Sequence, residues 1–240
     1  MTTWYVTTGI SLWETSRCWK LEGVDSQVLQ QADTLSESKL LAEVDGPGLI
    51  ELWKDRREEI RKELSVVSDA EKLNKATELV GKYFRQECWS ENGLRALPAE
   101  LATLWALFHR QIVVQGDRLV FIQGRSNADV AYMLQAMFER LLAGSPRVTA
   151  EIVGPYDLDP TESDRFNASF QEMWTKLEVE KKDPSTVAFV LTGGYKAVLI
   201  AIARCVSDGT GVYYSHENNP AAVIRVELRN RQVDSTYFPF

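Results

Sequence analysis

The sequence predicts an α/β fold, a Rossmann-like, mostly parallel sheet with helices on both faces and a helical insert. Three observations predict it. The second half of the chain alternates strand and helix patterns from Arg118 to Leu228, the signature of a parallel sheet. The segment from Thr186 to Leu191 is almost wholly apolar, as a central parallel strand covered on both faces must be. Glycines follow three of the strands directly, at Gly9, Gly124 and Gly193-Gly194, and each of these loops leads into a helix. In open α/β sheets that edge is where ligands bind.

Trp4 to Thr8 is an aromatic and β-branched strand that Gly9 ends. Residues 26 to 44 read as a helix, with Val28, Leu29, Ala32, Leu35, Leu40 and Leu41 at helical intervals. Gly46-Pro47-Gly48 is a break. A charged helix follows from Leu49 to Leu64, its apolar side made by Trp53, Ile60 and Leu64. A third helix covers 69 to 89. A fourth, amphipathic one runs from Pro98 to Val113, with the proline in the first turn and a stripe of Leu101, Leu104, Trp105 and Phe108. Beyond it come a strand at 118–122, a helix at 128–142, a strand at 148–153 and a helix at 162–182 with Thr161 as candidate N-cap. The strand at 186–191, a helix at 195–207 and closing strands at 211–214 and 223–228 complete the series; a short tail ends in Phe238-Pro239-Phe240. The chain reads as one domain over 1–240, and the block at 47–100 as an insert that covers the sheet, extends an interface or forms a lid.

Composition narrows the function. With 27 basic and 34 acidic residues the net charge is −7, which argues against a broad grip on duplex nucleic acid but not against one small anion in a pocket. Cys18, Cys88 and Cys205 are scattered, as expected for reduced thiols in a cytoplasmic protein, and no Cys/His cluster suggests a metal. The N-terminus lacks a signal-peptide pattern and no apolar run is long enough for a bilayer, so no membrane is expected. No cofactor is implied: GxxxxGK[ST] and GxGxxG are both absent.

The loop Thr192-Gly193-Gly194-Tyr195-Lys196 is the most informative segment. Two glycines let the backbone approach a ligand, the following helix offers free N–H groups, and Lys196 adds a cation. The same residues also suit a tight turn with a solvated lysine. In the first loop, Thr8, Gly9, Ile10, Ser11, Leu12 and Trp13 are candidates. Ser11 can donate to a phosphate oxygen or cap the next element, and Trp13 can stack on a base or fill the core. In the loop Gly124-Arg125-Ser126-Asn127, Arg125 can grip a phosphate with two donors, and Ser126 can bind ligand or cap a helix. His109 is expected to be structural, His216 lacks a catalytic partner, and the charge run from Lys54 to Arg61 reads as a solvated face.

These loops resemble the CARF family, the CRISPR-associated Rossmann-fold sensor domains. Gly9-Ile10-Ser11 is similar to the family's "GTS" first loop and Thr192-Gly193-Gly194-Tyr195-Lys196 to its "TGG(F/Y)K" loop; Val212 to Glu217 resembles its closing strand. The resemblance covers 1–20 and about 118–230 and leaves out the helical block. It implies a two-fold homodimer with one pocket across the interface, and a cyclic oligoadenylate, usually cyclic tetra-adenylate, as ligand. The Arg-x4–6-His signature of HEPN ribonucleases is absent, which with the resemblance favours a stand-alone ring nuclease. In that mechanism a ribose 2′-hydroxyl attacks the adjacent phosphorus without a metal. Ser11 and Lys196 would be the catalytic residues, one positioning the phosphate or the hydroxyl and one neutralising charge, and the two glycines would donate backbone N–H groups. This chain departs from the pattern in carrying Ile10 for threonine and Asn218-Asn219 after Glu217, with no lysine there. The alternatives are a non-catalytic sensor acting on a fused or partner effector, and a Rossmann-like enzyme for another nucleotide.

Overall fold

The computed structural model describes residues 1–36, 39–40, 46–142, 148–161, 163–192, 196–216, 219–229 and 232–238. Its strands are β1 (Thr3–Thr7), β2 (Arg118–Gly124), β3 (Thr149–Tyr156), β4 (Val187–Val190), β5 (Gly211–His216), β6 (Asn219–Arg229) and β7 (Gln232–Phe238). They form one seven-stranded sheet in the order β3-β2-β1-β4-β5-β6-β7. The first five are parallel to their neighbours; β6 and β7 close the sheet as an antiparallel hairpin. This is a Rossmann-like arrangement, and the order reverses between β1 and β4, which defines the switch point of such a sheet.

The helices are α1 (Ser11–Glu14), α2 (Ser26–Thr34), α3 (Gly46–Ser65), α4 (Lys72–Tyr83), α5 (Ala99–His109), α6 (Ala128–Leu141), α7 (Ser163–Leu177) and α8 (Lys196–Cys205). β1 is buried along its whole length because both of its faces are covered. Trp4 and Val6 join a core shared with α2 to α6, while Tyr5 joins a second core with α7 and α8 on the opposite face. The second core is built on a ladder of rings: Phe166, Phe170, Trp174, Phe189 and Tyr5 follow one another at centroid spacings of 6.1, 5.9, 6.0 and 5.2 Å. Such offset ring contacts add to the burial of apolar area. At the other end of the strands Asp117 accepts hydrogen bonds from Thr2 N (2.7 Å) and Trp4 Nε1 (2.9 Å), which fixes the start of β1 against β2.

Several boundaries differ from the sequence expectation, each for a local reason. The helix expected over 26–44 stops at Thr34, where Leu35 is extended and Arg17 donates to the Ala32 (3.0 Å) and Leu35 (3.0 Å) carbonyls. Gly46-Pro47-Gly48 does not precede α3 but opens it, since proline is tolerated in a first turn. The charge run is not wholly solvated: Arg57 follows Trp53 by one turn, is buried, and donates to the Ser16 carbonyl at 2.8 Å. α5 is not amphipathic, because every residue from Glu100 to Leu107 is buried between the sheet and the outer helices. The Thr161 hydroxyl donates to Asp159 at 2.7 Å. The expected tail contains β7, paired with β6 from Val223↔Phe238 to Arg229↔Gln232. Among the described residues no helix is long and apolar enough to cross a membrane.

Candidate functional site

Parallel register places the C-terminal ends of β2, β1 and β4 side by side: Thr7 is level with Ile122, and Val6 with both Phe121 and Val190. The loops that leave these strands therefore start from one rim, at the switch point. The first two loops are tied together. Thr8 Oγ1 donates to the Ile122 carbonyl at 2.8 Å, and Asn127 Nδ2 donates to the Thr8 carbonyl at 3.3 Å. A Cβ at Gly124 would lie 2.5 Å from Asn127 Oδ1, so a side chain there would displace the Asn127 amide from this join. Thr7 Oγ1 donates to the Val190 carbonyl at 3.3 Å, joining β1 to β4.

Within the first loop, Ile10 is 50% exposed, Ser11 is half-buried as the first residue of α1, and Trp13 packs half-buried against the main core. Leu12 is fully buried in that core. In the second loop Arg125 and Ser126 are exposed, and the N-cap position of α6 falls on Asn127, not on Ser126. In the third, Thr192 is half-buried and Lys196 is the first residue of α8; Gly193, Gly194 and Tyr195 lie outside the described residues. The crevice between the loops, lined by Thr7, Thr8, Gly124, Ser126, Asn127 and Val198, holds only ≈ 20 Å³, the space of about one water. Any nucleotide bound here lies on the rim and not inside the fold.

Sequence reasoning missed the residues that hold this rim from below. Glu100, in the first turn of α5, is completely buried. Its Oε1 accepts the Gly9 N–H at 2.6 Å and its Oε2 accepts the Ser11 hydroxyl at 2.7 Å. Ser11 Oγ in turn accepts the Ala99 N–H at 3.2 Å. Burial raises the Glu100 carboxyl above its usual range, and the hydrogen bonds from Ser11 and the backbone oppose that rise. One turn along, Thr103 Oγ1 lies 2.8 Å from Thr192 Oγ1 and 2.9 Å from Ser215 Oγ, while Ser215 N donates to Thr192 Oγ1 at 3.3 Å. One face of α5 thus engages the loop after β1, the loop after β4 and the end of β5. The available signal was the apolar run itself: a helix apolar all round is buried, so a polar residue in it needs partners.

His109 stacks on Trp105 at 4.8 Å, and His216 ends β5. Among the described residues no group of three His, Cys, Asp or Glu side chains is placed to hold a metal.

No curated protein matches the chain. A family model described as "CRISPR-associated protein (Cas_APE2256)" matches residues 95–224. That stretch runs from just before α5 into β6, and so includes Glu100, Thr103 and the second and third rim loops, but not Gly9 to Ser11. With more than half of its length matched, and with the sheet order and rim described above, the chain belongs to this CRISPR-associated protein family.

Proposed function

We propose that the protein binds cyclic tetra-adenylate across the paired rims of a two-fold homodimer and cleaves it, ending a CRISPR-linked signal. The observation that carries this reading is the gathering of the loops after β1, β2 and β4 at one switch-point rim, in a chain of a CRISPR-associated family. A ring of even symmetry suits a two-fold dimer, because identical loops then meet identical halves of the ligand. The shallow crevice favours a ligand held between two rims. Ile10, 50% exposed, and Ile200 in the second turn of α8, 62% exposed, offer apolar surface for the pairing.

Cleavage proceeds by in-line attack of a ribose 2′-oxygen on the adjacent phosphorus. The P–O5′ bond breaks, leaving a 2′,3′-cyclic phosphate and a 5′-hydroxyl. The protein's part is to hold that line and to stabilise charge on the phosphoryl oxygens. Ser11 positions the reacting ribose, Lys196 neutralises charge, and the N–H groups of Gly193 and Gly194 take phosphoryl oxygens. Arg125 anchors a neighbouring phosphate.

A second reading, a sensor without turnover, is favoured by one observation. α5 joins the rim to the layer of α2 to α4, a path by which binding would reach a partner surface. Incubating the purified protein with cyclic tetra-adenylate in EDTA separates the two. Linear products ending in 2′,3′-cyclic phosphate support the nuclease; tight binding without products supports the sensor; no binding defeats both.

A further inference from the structure

We infer that Glu100 is a positioning residue: by accepting the Ser11 hydroxyl hydrogen it leaves Ser11 only able to accept, so that Ser11 holds a ribose hydroxyl and not a phosphate oxygen. This rests on the proposed ring-binding reading and specifies its ligand contact.

The argument is a count of hydrogens. A serine hydroxyl has one hydrogen to give and two lone pairs to offer. The hydrogen of Ser11 goes to Glu100 Oε2 at 2.7 Å, and one lone pair takes the Ala99 N–H at 3.2 Å. One lone pair remains, on a half-buried side chain at the rim. Phosphoryl oxygens have no hydrogen to give to it; a ribose 2′-hydroxyl has. The two contacts, 2.6 and 2.7 Å, set one donor against each carboxyl oxygen, so the ionised carboxylate takes the serine hydrogen. The groups that face it are neutral: Gly9 and Ser11 from the first loop, and the backbone of its own first turn.

Protonating Glu100 reverses the bond. Its O–H then donates to Ser11 Oγ, and the serine hydrogen is freed toward the rim. Glu100→Gln imitates that state while the amide oxygen still accepts from Gly9. Direct binding of cyclic tetra-adenylate and of its 2′-deoxy counterpart reads the difference without any need for turnover. The wild type should prefer the ribose ring by about 25-fold, about fivefold for each of the two Ser11 contacts that a two-fold dimer makes to one ring. Glu100→Gln should bring that ratio to about one, and Ser11→Ala should do the same, with no further change in the double variant. An unchanged ratio in Glu100→Gln, with its thermal transition intact, overturns the role of Glu100 and leaves the ring-binding reading standing. Failure of the wild type to bind either ring overturns both.

Discussion

Two of the carboxylates buried in this protein, Asp33 and Glu100, have opposite surroundings. Asp33 of α2 faces Arg85, which is 1% exposed and lies beside Cys88, deep in the layer outside α5. Glu100 meets no cation among the groups that act on it, only a backbone N–H and a serine hydroxyl that itself reaches the rim. The first arrangement is charge meeting charge: Arg85 also reaches the half-exposed Glu87 at 3.4 Å, and none of these residues belongs to the rim loops. The second leads to the rim, because the hydroxyl it polarises keeps a free lone pair there. Burial alone does not mark a functional acid; what matters is whether its partners lead to the rim.

The largest effect should come from breaking the Asp33–Arg85 pair. Asp33→Ala leaves the buried Arg85 charge with only the half-exposed Glu87 as counter-ion and should lower stability by about 3 kcal/mol in urea unfolding. The pH dependence has a defined sign. Burial outweighs Arg85 and lifts Asp33 to about 6, above its value in the unfolded chain. Its contribution is therefore complete below about pH 4 and is lost as pH rises through 6. Asp33→Asn should flatten that part of the stability profile; an unchanged profile would remove the distinction drawn between the two sites.

Rim substitutions should act on turnover more than on folding. Lys196→Ala should weaken ring binding and slow cleavage together, the latter by about 100-fold, the scale of one lost transition-state contact. Ser11→Ala should slow cleavage more than it weakens binding. Single-turnover assays with parallel binding isotherms measure both, and wild-type behaviour in both variants would misplace the site. The smallest effect should follow Thr103→Val, which keeps the shape but leaves Thr192 and Ser215 without their shared hydroxyl. A stability loss of about 1–2 kcal/mol is expected, together with weaker ring binding.

Much of the architecture was legible because it is periodic. The apolar strand at 187–190, the glycine punctuation at 9, 124 and 193–194 and the helix after Asn127 are all local signals, and the rim follows from them once strand order is known. What stayed hidden depends on partners far apart in the chain. Glu100 and Gly9 are separated by 91 residues, and Arg85 and Asp33 by 52, so no window reveals either pair. Arg57 vanished into a charge run most of whose other members are exposed, although its one-turn offset from Trp53 marked it as inward. β7 escaped because four of its seven residues, Gln232, Asp234, Ser235 and Thr236, are polar and its stability comes from pairing with β6.

The distribution of indoles has a practical outcome for spectroscopy. Of the seven tryptophans, Trp174 belongs to the aromatic ladder beneath α7, and the remaining six pack on the other side of the sheet. Intrinsic emission therefore reports chiefly on the side that contains α5. Trp13 and Trp89 are half-exposed, and of the two Trp13 stands in the first rim loop. A quencher dissolved in the buffer reaches that indole before Trp4, Trp19 or Trp53, which are almost wholly enclosed. Shielding of the accessible fraction on adding a nucleotide then gives an optical titration at the rim without a label.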